Sequence, residues 1–400
     1  MRIGIFTECY RPITNGVVVS VETFRRELQA QGHEVWLFTP DYEAYSDPRI
    51  IPLRSIGLPA RTAYRAATPF MRRQPPPTLD VIHAHSPFST GLLARSWARR
   101  YGAPLVFTYH TRLEDYAHYL PVPLTWGRRA MVWASRSYCN ITDMVLTPTA
   151  EIQRLLQGYG VIRPIEVLPT AIALPGLEGV DRSWLRRRLG WDDRRVLLTV
   201  GRLAPEKNVS FLVDTFAHIW RAHPETALVV VGDGPDKTRL EEQARRLGLS
   251  DAIKFTGMVD RQEITRYYAG ADLFVFASVT ETQGLVVGEA LQAGTPVVAV
   301  GVGGVLDALR GCPGSLLCAP HVEDLASRVN RLLAEPQALD ALRRQTGLAG
   351  AAPGPSARRL VELYEGLLSS LRAPGVNSRS VMAGVGSSSA TGVSSASGSS

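Results

Sequence analysis

Short apolar runs alternate along this chain with polar turns and with longer stretches in which apolar residues recur at helical spacing. The runs are rich in β-branched residues and predict buried strands, while the longer stretches predict amphipathic helices. The pattern repeats over roughly residues 1–170 and again over residues 196–320. Two successive units of this kind predict an α/β fold with two Rossmann-like domains.

Changes in composition mark the predicted domain boundaries. Residues 174–190 contain proline and glycine and are interpreted as a linker, so residues 1–174 form the N-terminal domain and residues 175–356 the C-terminal one. A helix is predicted over residues 357–371, and the Ser-, Gly- and Ala-rich residues 372–400 are predicted to be disordered. Residues 41–79 mix arginine, proline and aromatic side chains and are expected to be irregular.

Residues 272–300 predict a strand, a loop ending at Gly284, a helix beginning near Leu285, and a second strand. Unpaired N–H groups at such a helix start make a site for a phosphate. Glu281 lies in the loop and Glu289 about one turn inside the helix. The two carboxylates could therefore bind the sugar and the ribose of one nucleotide-sugar. Their spacing alone leaves open that both are ordinary solvated glutamates.

Three further positions place suitable groups after predicted strands. Arg202 and Lys207 follow the strand that ends at Val200, where they could clamp a diphosphate and neutralise a leaving group. Gly16 precedes a helix, where the backbone can approach a phosphate closely. His110 follows another strand, at the sheet edge where open α/β folds bind ligands. Taken singly, Gly16 also fits an ordinary turn, and His110 also fits a core or capping residue.

Composition narrows the class of protein. The 400 residues are 45% hydrophobic and 20% charged, which is typical of a globular protein, and no apolar run predicts a membrane-spanning helix. The four cysteines lack metal-site or CxxC spacing and are typical of reduced thiols in the cytoplasm. His83 and His85 would share one strand face, but no further ligand cluster accompanies them, so no metal is expected.

The net charge of +7 is unevenly distributed, since twelve arginines face only three acids between Arg54 and Arg136. Such a patch suits a polyanion or an anionic membrane. Trp126 and Trp133 add an apolar component that could lie on a membrane surface. Alternatively the arginines are simply spread over solvated faces and the aromatic residues are core. No nucleic-acid-binding motif is present, so nucleic acid is not expected as a partner.

Three motifs in a fixed order carry a resemblance to a known family. The chain resembles the retaining glycosyltransferases of family 4, which have the GT-B fold, over roughly residues 1–370. The segment ETQGLVVGEA, which begins at Glu281, is similar to the family's Glu-x7-Glu motif. The segment GR-x4-K, which begins at Gly201, is similar to the family's phosphate-clamp motif. The segment Asn15-Gly16-Val17 is similar to its N-terminal glycine loop. The resemblance implies two Rossmann-like domains facing across a cleft, and a final helix that crosses back to the N-terminal domain.

The resemblance also implies a role for each candidate residue. The N-terminal domain would bind the acceptor and the C-terminal domain a nucleotide-sugar donor. The residues expected to act on the reacting groups are His110 beside the sugar, Arg202 and Lys207 on the diphosphate, and Glu281 on the sugar. The residues expected to bind the donor are Gly16 at the diphosphate, Met258 and Val259 at the base, Gln283, Gly284, Leu285 and Val286 through their backbone, and Glu289 at the ribose.

The finer resemblance is to diacylglycerol glucosyltransferases. It rests on the stretch from Thr108 to Tyr119 and on the pair Thr282-Gln283, where many relatives with other acceptors have Gly-Phe. It implies transfer of a hexose, glucose or galactose, from a UDP-sugar to a diacylglycerol-type lipid. The protein would be peripheral on the inner face of the cell membrane and would need no cofactor or metal.

Other functions stay open at this point. The acceptor could be a phosphoinositide, a glycolipid that already carries one sugar, or a soluble small molecule. A nucleotide-sugar-binding regulatory protein and a nucleotide-dependent epimerase are the alternatives from other classes. No oligomeric state follows from the sequence.

Overall fold

The computed structural model describes residues 1–57, 64–71, 73–349 and 355–372. Over these ranges the chain forms two sheets, one of eight strands and one of six, with helices on their faces. The α/β prediction is therefore confirmed. The predicted disordered tail lies outside the described residues, apart from Arg372, which ends the last helix.

The N-terminal sheet has the strand order β4-β3-β2-β1-β5-β6-β7-β8. Every neighbouring pair is parallel except β3 and β4. Its strands are β1 (Arg2–Phe6), β2 (Glu34–Pro40), β3 (Ile50–Gly57), β4 (Arg65–Met71), β5 (Val81–Ala84), β6 (Leu105–Thr108), β7 (Met144–Thr147) and β8 (Ile165–Val167). Its helices are α1 (Gly16–Ala30), α2 (Ser89–Tyr101), α3 (Leu124–Cys139) and α4 (Ala150–Gly158), with a 3-10 turn at Leu113–Tyr119.

The prediction that residues 41–79 are irregular is wrong. They contain β3 and β4, which pair antiparallel with Leu53 opposite Met71 and Gly57 opposite Arg65. Because β4 is the edge strand, its outer edge and much of its side-chain surface face solvent. Its sequence therefore does not need a continuous apolar run. The mixed arginine and aromatic composition therefore concealed a regular strand pair. Residues 58–63 and 72 of this segment lie outside the described ranges.

The C-terminal sheet is entirely parallel, in the order β11-β10-β9-β12-β13-β14. Its strands are β9 (Arg195–Val200), β10 (Thr226–Val231), β11 (Ile253–Gly257), β12 (Leu273–Phe276), β13 (Val297–Val300) and β14 (Ser315–Cys318). The helices are α5 (Trp184–Leu189), α6 (Val209–Ala222), α7 (Lys237–Arg246), α8 (Ile264–Gly270), α9 (Leu285–Gln292), α10 (Gly303–Leu309), α11 (Val322–Ala334), α12 (Pro336–Ala349) and α13 (Pro355–Arg372), with a 3-10 turn at Pro205–Lys207.

The strand order places the candidate residues together. In an open parallel sheet a crevice forms where the strand order reverses, at the carboxyl ends of the strands. In the C-terminal sheet this point lies between β9 and β12, which precede the loops of Lys207 and Glu281. In the N-terminal sheet it lies between β1 and β5, and the loop after β1 leads to Gly16. The two crevices meet at the interface between the domains.

Helix α13 packs on the N-terminal domain rather than on the C-terminal domain that precedes it in the chain. Leu360, Leu363 and Tyr364 belong to the same core cluster as the apolar side of α1. The Tyr364 hydroxyl lies 2.6 Å from Nδ1 of His83. Helix α13 therefore contacts β5, the strand that leads toward the cleft.

Candidate active site

Lys207 and Glu281 form the centre of the candidate site. Lys207 lies in the 3-10 turn after β9, and its Nζ is 2.6 Å from Oε1 of Glu281, in the loop after β12. Burial would lower the pKa of Lys207, but the charge of Glu281 and its hydrogen bond, with a smaller effect of Glu206, outweigh burial and raise the pKa. Lys207 is therefore a fixed positive charge at the switch point of the sheet.

Arg202 lies five residues before Lys207, and its side chain is about 40% exposed. Its Nη1 is 3.7 Å from Oε1 of Glu206, a buried side chain whose two carboxylate oxygens have no hydrogen-bond partner. The main-chain oxygen of Glu206 accepts a bond of 3.2 Å from Thr280 Oγ1, which ties the two loops together. The sequence analysis missed Glu206, although an acid directly before the clamp lysine is a readable signal.

The start of α9 has the form of a phosphate site. Gly284 has φ 71°, a left-handed conformation that glycine adopts without strain, and no side chain caps the helix after it. The first N–H groups of α9 are thus available to an anion. Gly16 faces the same helix from the other domain, since a Cβ placed there would lie 3.6 Å from Leu285 Cδ1. The next side chain, Val286, is half-buried.

Glu289 is 3% exposed and already held by two side chains. Its Oε1 lies 2.5 Å from Nη1 of Arg261, and its Oε2 accepts a bond of 2.8 Å from the Tyr268 hydroxyl. Burial and then the Glu289 charge raise the pKa of Tyr268 well above its usual value, so Tyr268 is the donor. Each carboxylate oxygen keeps a second lone pair, with which it could accept a ribose hydroxyl. Arg261 and Tyr268 were not singled out from the sequence.

Met258 and Val259 follow β11 at the edge of the C-terminal sheet. Met258 is 59% exposed, while Val259 is half-buried against the domain core. They lie two strands away from the Lys207 loop, at the same ends of the parallel strands. Their assignment to the base of a nucleotide stays a prediction.

His110 follows β6 and ends a column of three histidines. Its Nε2 is 2.8 Å from Nδ1 of His85, and the rings of His85 and His83 lie 4.2 Å apart. Burial lowers the pKa of His110 to about 4 and that of His83 to about 3, so both rings are neutral near pH 7. Both ring nitrogens of His83 lie at hydrogen-bond distance from hydroxyl groups, Nε2 from Thr108 and Nδ1 from Tyr364. Neither nitrogen is therefore available to bind a metal. Within the described ranges, no group of three or more His, Cys, Asp or Glu could hold a metal ion.

Comparison with known proteins identifies the family. Residues 14–174 match the family model "Glycosyltransferase Family 4", and residues 181–348 match "Glycosyl transferases group 1". The chain is 37% identical over 314 residues to the alpha-monoglucosyldiacylglycerol synthase of Streptococcus pneumoniae, across 75% of this chain and 71% of that protein. The chain belongs to glycosyltransferase family 4. The resemblance inferred from the three motifs is confirmed.

Other relatives of this glycosyltransferase are named for different activities. The alpha-monoglucosyldiacylglycerol synthase of Acholeplasma laidlawii is 32% identical over 317 residues, across 74% of this chain and 80% of its own. A GDP-mannose-dependent alpha-mannosyltransferase of Mycobacterium tuberculosis is 30% identical over 326 residues, with shares of 77% and 81%. Family membership therefore makes the protein a hexosyltransferase.

Solved structures bear on the fold of this glycosyltransferase. Anabaena HepE, crystallised with UDP and glucose, covers 92% of this chain and 100% of its own with a TM-score of 0.68 and 18% identity. The prediction of a GT-B fold with two Rossmann-like domains is confirmed. The roles assigned to individual site residues stay predictions.

Proposed function

We propose that this glycosyltransferase moves a hexose, with glucose preferred to galactose, from a UDP-sugar to a diacylglycerol-type lipid at the inner face of the membrane, with retention of configuration. The similarity to two monoglucosyldiacylglycerol synthases supports this acceptor. The single observation that carries the proposal is the exposed face of α3 beside the cleft.

The α3 surface, as we name it, consists of Trp126, Arg129 and Trp133 on one side of α3. The two tryptophans are 69% and 70% exposed and lie two helical turns apart, with the exposed Arg129 between them. Exposed tryptophan next to arginine is unusual for a face surrounded by water and typical of a helix lying in a membrane interface. This surface therefore favours a lipid acceptor over a soluble one.

The position of α3 connects this surface to the candidate site. Gly127, on the buried side of α3, lies so near the turn Leu113–Tyr119 that a Cβ on it would be 3.2 Å from the Ala117 oxygen. That turn follows His110 by three residues. A lipid whose chains rest beside the α3 surface could thus present its hydroxyl to the cleft at His110.

Fewer arginines are exposed and unpaired than the twelve between Arg54 and Arg136 suggested. Arg65 lies 3.7 Å from Asp41, Arg112 lies 3.3 Å from Glu114, and Arg73 donates to main-chain oxygens of its own domain. Arg61 and Arg72 fall outside the described residues. The exposed arginines left beside the tryptophans on α3 are Arg128, Arg129 and Arg136. No helix in the described part of the chain is long and apolar enough to cross a membrane.

The proposed chemistry uses charges that the site already carries. When the bond between the sugar and the β-phosphate breaks, negative charge grows on the departing diphosphate. On this proposal Arg202, Lys207 and the first N–H groups of α9 would stabilise that charge. The acceptor oxygen would form its bond to the anomeric carbon on the face that the phosphate leaves, and the departing phosphate would take the proton of the acceptor hydroxyl. Attack on that same face gives retention. On this proposal no divalent cation is needed.

The test is a screen of donors against acceptors. Purified enzyme is incubated with labelled UDP-glucose, UDP-galactose or GDP-mannose, and with diacylglycerol, glucosyldiacylglycerol, phosphatidylinositol or an inositol phosphate, each with and without EDTA. We expect an α-linked glucosyl lipid from UDP-glucose and diacylglycerol, at the same rate in EDTA. A β-linked product, release of UDP without an acceptor, or preference for a soluble acceptor would overturn the proposal.

A further inference from the structure

Two consecutive residues of the α9 loop, Thr282 and Gln283, make bonds to the N-terminal domain. They separate Glu281, which holds Lys207, from Gly284, after which α9 begins. Any ligand between Lys207 and the α9 start therefore lies against the segment that carries these two side chains. Their partners determine how that segment faces the other domain.

Thr282 contacts two separate parts of the N-terminal domain. Its hydroxyl donates a bond of 2.8 Å to the main-chain oxygen of His110, and its own main-chain oxygen accepts a bond of 3.0 Å from Thr149 Oγ1. Thr149 is the residue immediately before α4. The peptide that carries the His110 ring is thus bonded directly to the neighbour of Glu281.

Gln283 contacts the segment that leads out of the N-terminal domain. Its Oε1 accepts a bond of 3.0 Å from the Thr170 main-chain N–H, and its Nε2 donates a bond of 2.9 Å to the Thr170 main-chain oxygen. Both backbone groups of one buried residue are therefore satisfied by a single side-chain amide from the other domain. The Thr170 hydroxyl lies 2.8 Å from Ser20 Oγ on α1, the helix that begins at Gly16.

Other contacts between the domains end farther from the reacting groups. Asp307 on α10 accepts a bond of 2.6 Å from the Glu151 main-chain N–H, and Gln292 accepts one of 2.9 Å from the Leu174 main-chain N–H. They hold the domains together without involving a candidate site residue. Among these bonds, the one from Thr282 ends at His110.

We infer that Thr282 and Gln283 are positioning residues, which hold the Glu281 loop and the α9 start against His110 so that both domains form one active site. The inference rests on the proposed function in that it assigns the donor to this loop and the reacting face to His110. A displacement of about 1 Å between groups that must meet in a transition state can cost about a hundredfold in rate. Bonds that fix two domains at the reacting centre can therefore govern turnover without touching substrate.

Substitutions of nearly equal shape can remove these bonds singly. Thr282→Val removes the hydroxyl, Thr282→Ser keeps it, and Gln283→Met removes the amide at similar length. Thr215→Val is the matched control, because the Thr215 hydroxyl also donates a bond of 2.8 Å to a main-chain oxygen, but within α6. Circular dichroism and the melting temperature establish that each variant is folded.

The first measurement needs no substrate. In hydrogen–deuterium exchange, we expect the Thr170 amide to exchange at least about tenfold faster in Gln283→Met, since its acceptor is lost. Thr215→Val should leave this segment unchanged. This arm tests the bond between Gln283 and Thr170 even if the donor or acceptor in the proposed function is wrong. Unchanged protection in a folded Gln283→Met variant would overturn the inference.

The second measurement separates positioning from direct binding. We expect kcat to fall about tenfold to a hundredfold in Thr282→Val and Gln283→Met, with the Kd for UDP within about twofold of the parent, and to recover largely in Thr282→Ser. An unchanged kcat in Thr282→Val would overturn the inference. A Kd for UDP raised tenfold, with exchange at Thr170 unchanged, would also overturn it, since the residues would then be ligands.

Discussion

At the scale of single residues, the proposed function requires the pair of Lys207 and Glu281 to receive a diphosphate. A diphosphate carries more negative charge than the Glu281 carboxylate and can take Lys207 from it. Glu281 would then be released toward a sugar hydroxyl. We expect Lys207→Ala to lower kcat by roughly two to three powers of ten, by analogy with the loss of a donor to a developing anion. Steady-state kinetics with the labelled donor measure this.

The control for this prediction is Lys254→Ala, because Lys254 is an exposed lysine on β11 of the same domain. It should retain parental turnover. Lys207→Arg should recover part of the loss, since it keeps the charge but changes its geometry. Near-normal turnover in Lys207→Ala would contradict the assignment of Lys207 to the diphosphate.

Motif spacing could predict Lys207 and Glu281 but not the partners of Glu289. Arg261 and Tyr268 reach Glu289 from 28 and 21 residues earlier in the chain, through the loop after β11 and the packing of α8 against α9. No local spacing encodes such a contact. Glu206 is different, because it directly precedes Lys207 and could be noticed in the sequence. Only its burial had to be learned from the structure.

At the scale of elements, the α3 surface should control membrane binding. We expect the Trp126→Ala, Trp133→Ala double variant to bind vesicles containing anionic lipid at least about tenfold more weakly, because each ring buries a large apolar area in the interface. Arg129→Gln should weaken binding less and should reduce its salt dependence. Sedimentation with vesicles at several salt concentrations measures both effects.

Leu247→Ala supplies the control for this element. Leu247 follows α7 in the C-terminal domain and is also exposed, at 38%. It should not alter vesicle binding, and the tryptophan variant should keep its Kd for UDP. Binding that is insensitive to salt and unaffected by the tryptophan substitutions would rule out the α3 surface as the docking face.

Prediction of elements from the sequence succeeded where burial leaves one clear pattern. The strands of the C-terminal sheet, such as β9 and β10, are buried on both faces and give continuous apolar runs. The edge pair β3 and β4 gave no such run and was missed. For α3, helical periodicity fits a core face and an interfacial face equally, so exposure of Trp126 and Trp133 could be established only from the structure.

At the scale of the whole molecule, two α/β units could be predicted from the sequence, but the contacts between them could not. The bonds of Thr282 to His110 and of Gln283 to Thr170 join residues 172 and 113 positions apart. The family resemblance implied that this dipeptide differs from that of many relatives. Only the fold indicates that its side chains point toward the other domain.

The three buried histidines make the stability of the whole molecule depend on pH. Burial lowers the pKa of His83 to about 3 and of His110 to about 4, and lowers that of His85 as well. In the unfolded chain the pKa of each of these histidines is about 6.5. Below that pH the unfolded chain takes up protons that the folded chain does not, so stability present above pH 6.5 is lost as the pH falls toward about 4.

The size of this effect can be tested by urea unfolding between about pH 7 and pH 5. If the unfolded chain takes up three more protons than the folded protein, the free energy of unfolding should fall by at most about 4 kcal/mol for each unit by which the pH decreases near pH 5. His83→Gln should reduce the proton uptake by about one, because one of the three neutral rings is gone. A free energy of unfolding that is constant over this range would mean that the folded protein takes up these protons as readily as the unfolded chain does, and the lowered pKa values of the three histidines would then be wrong.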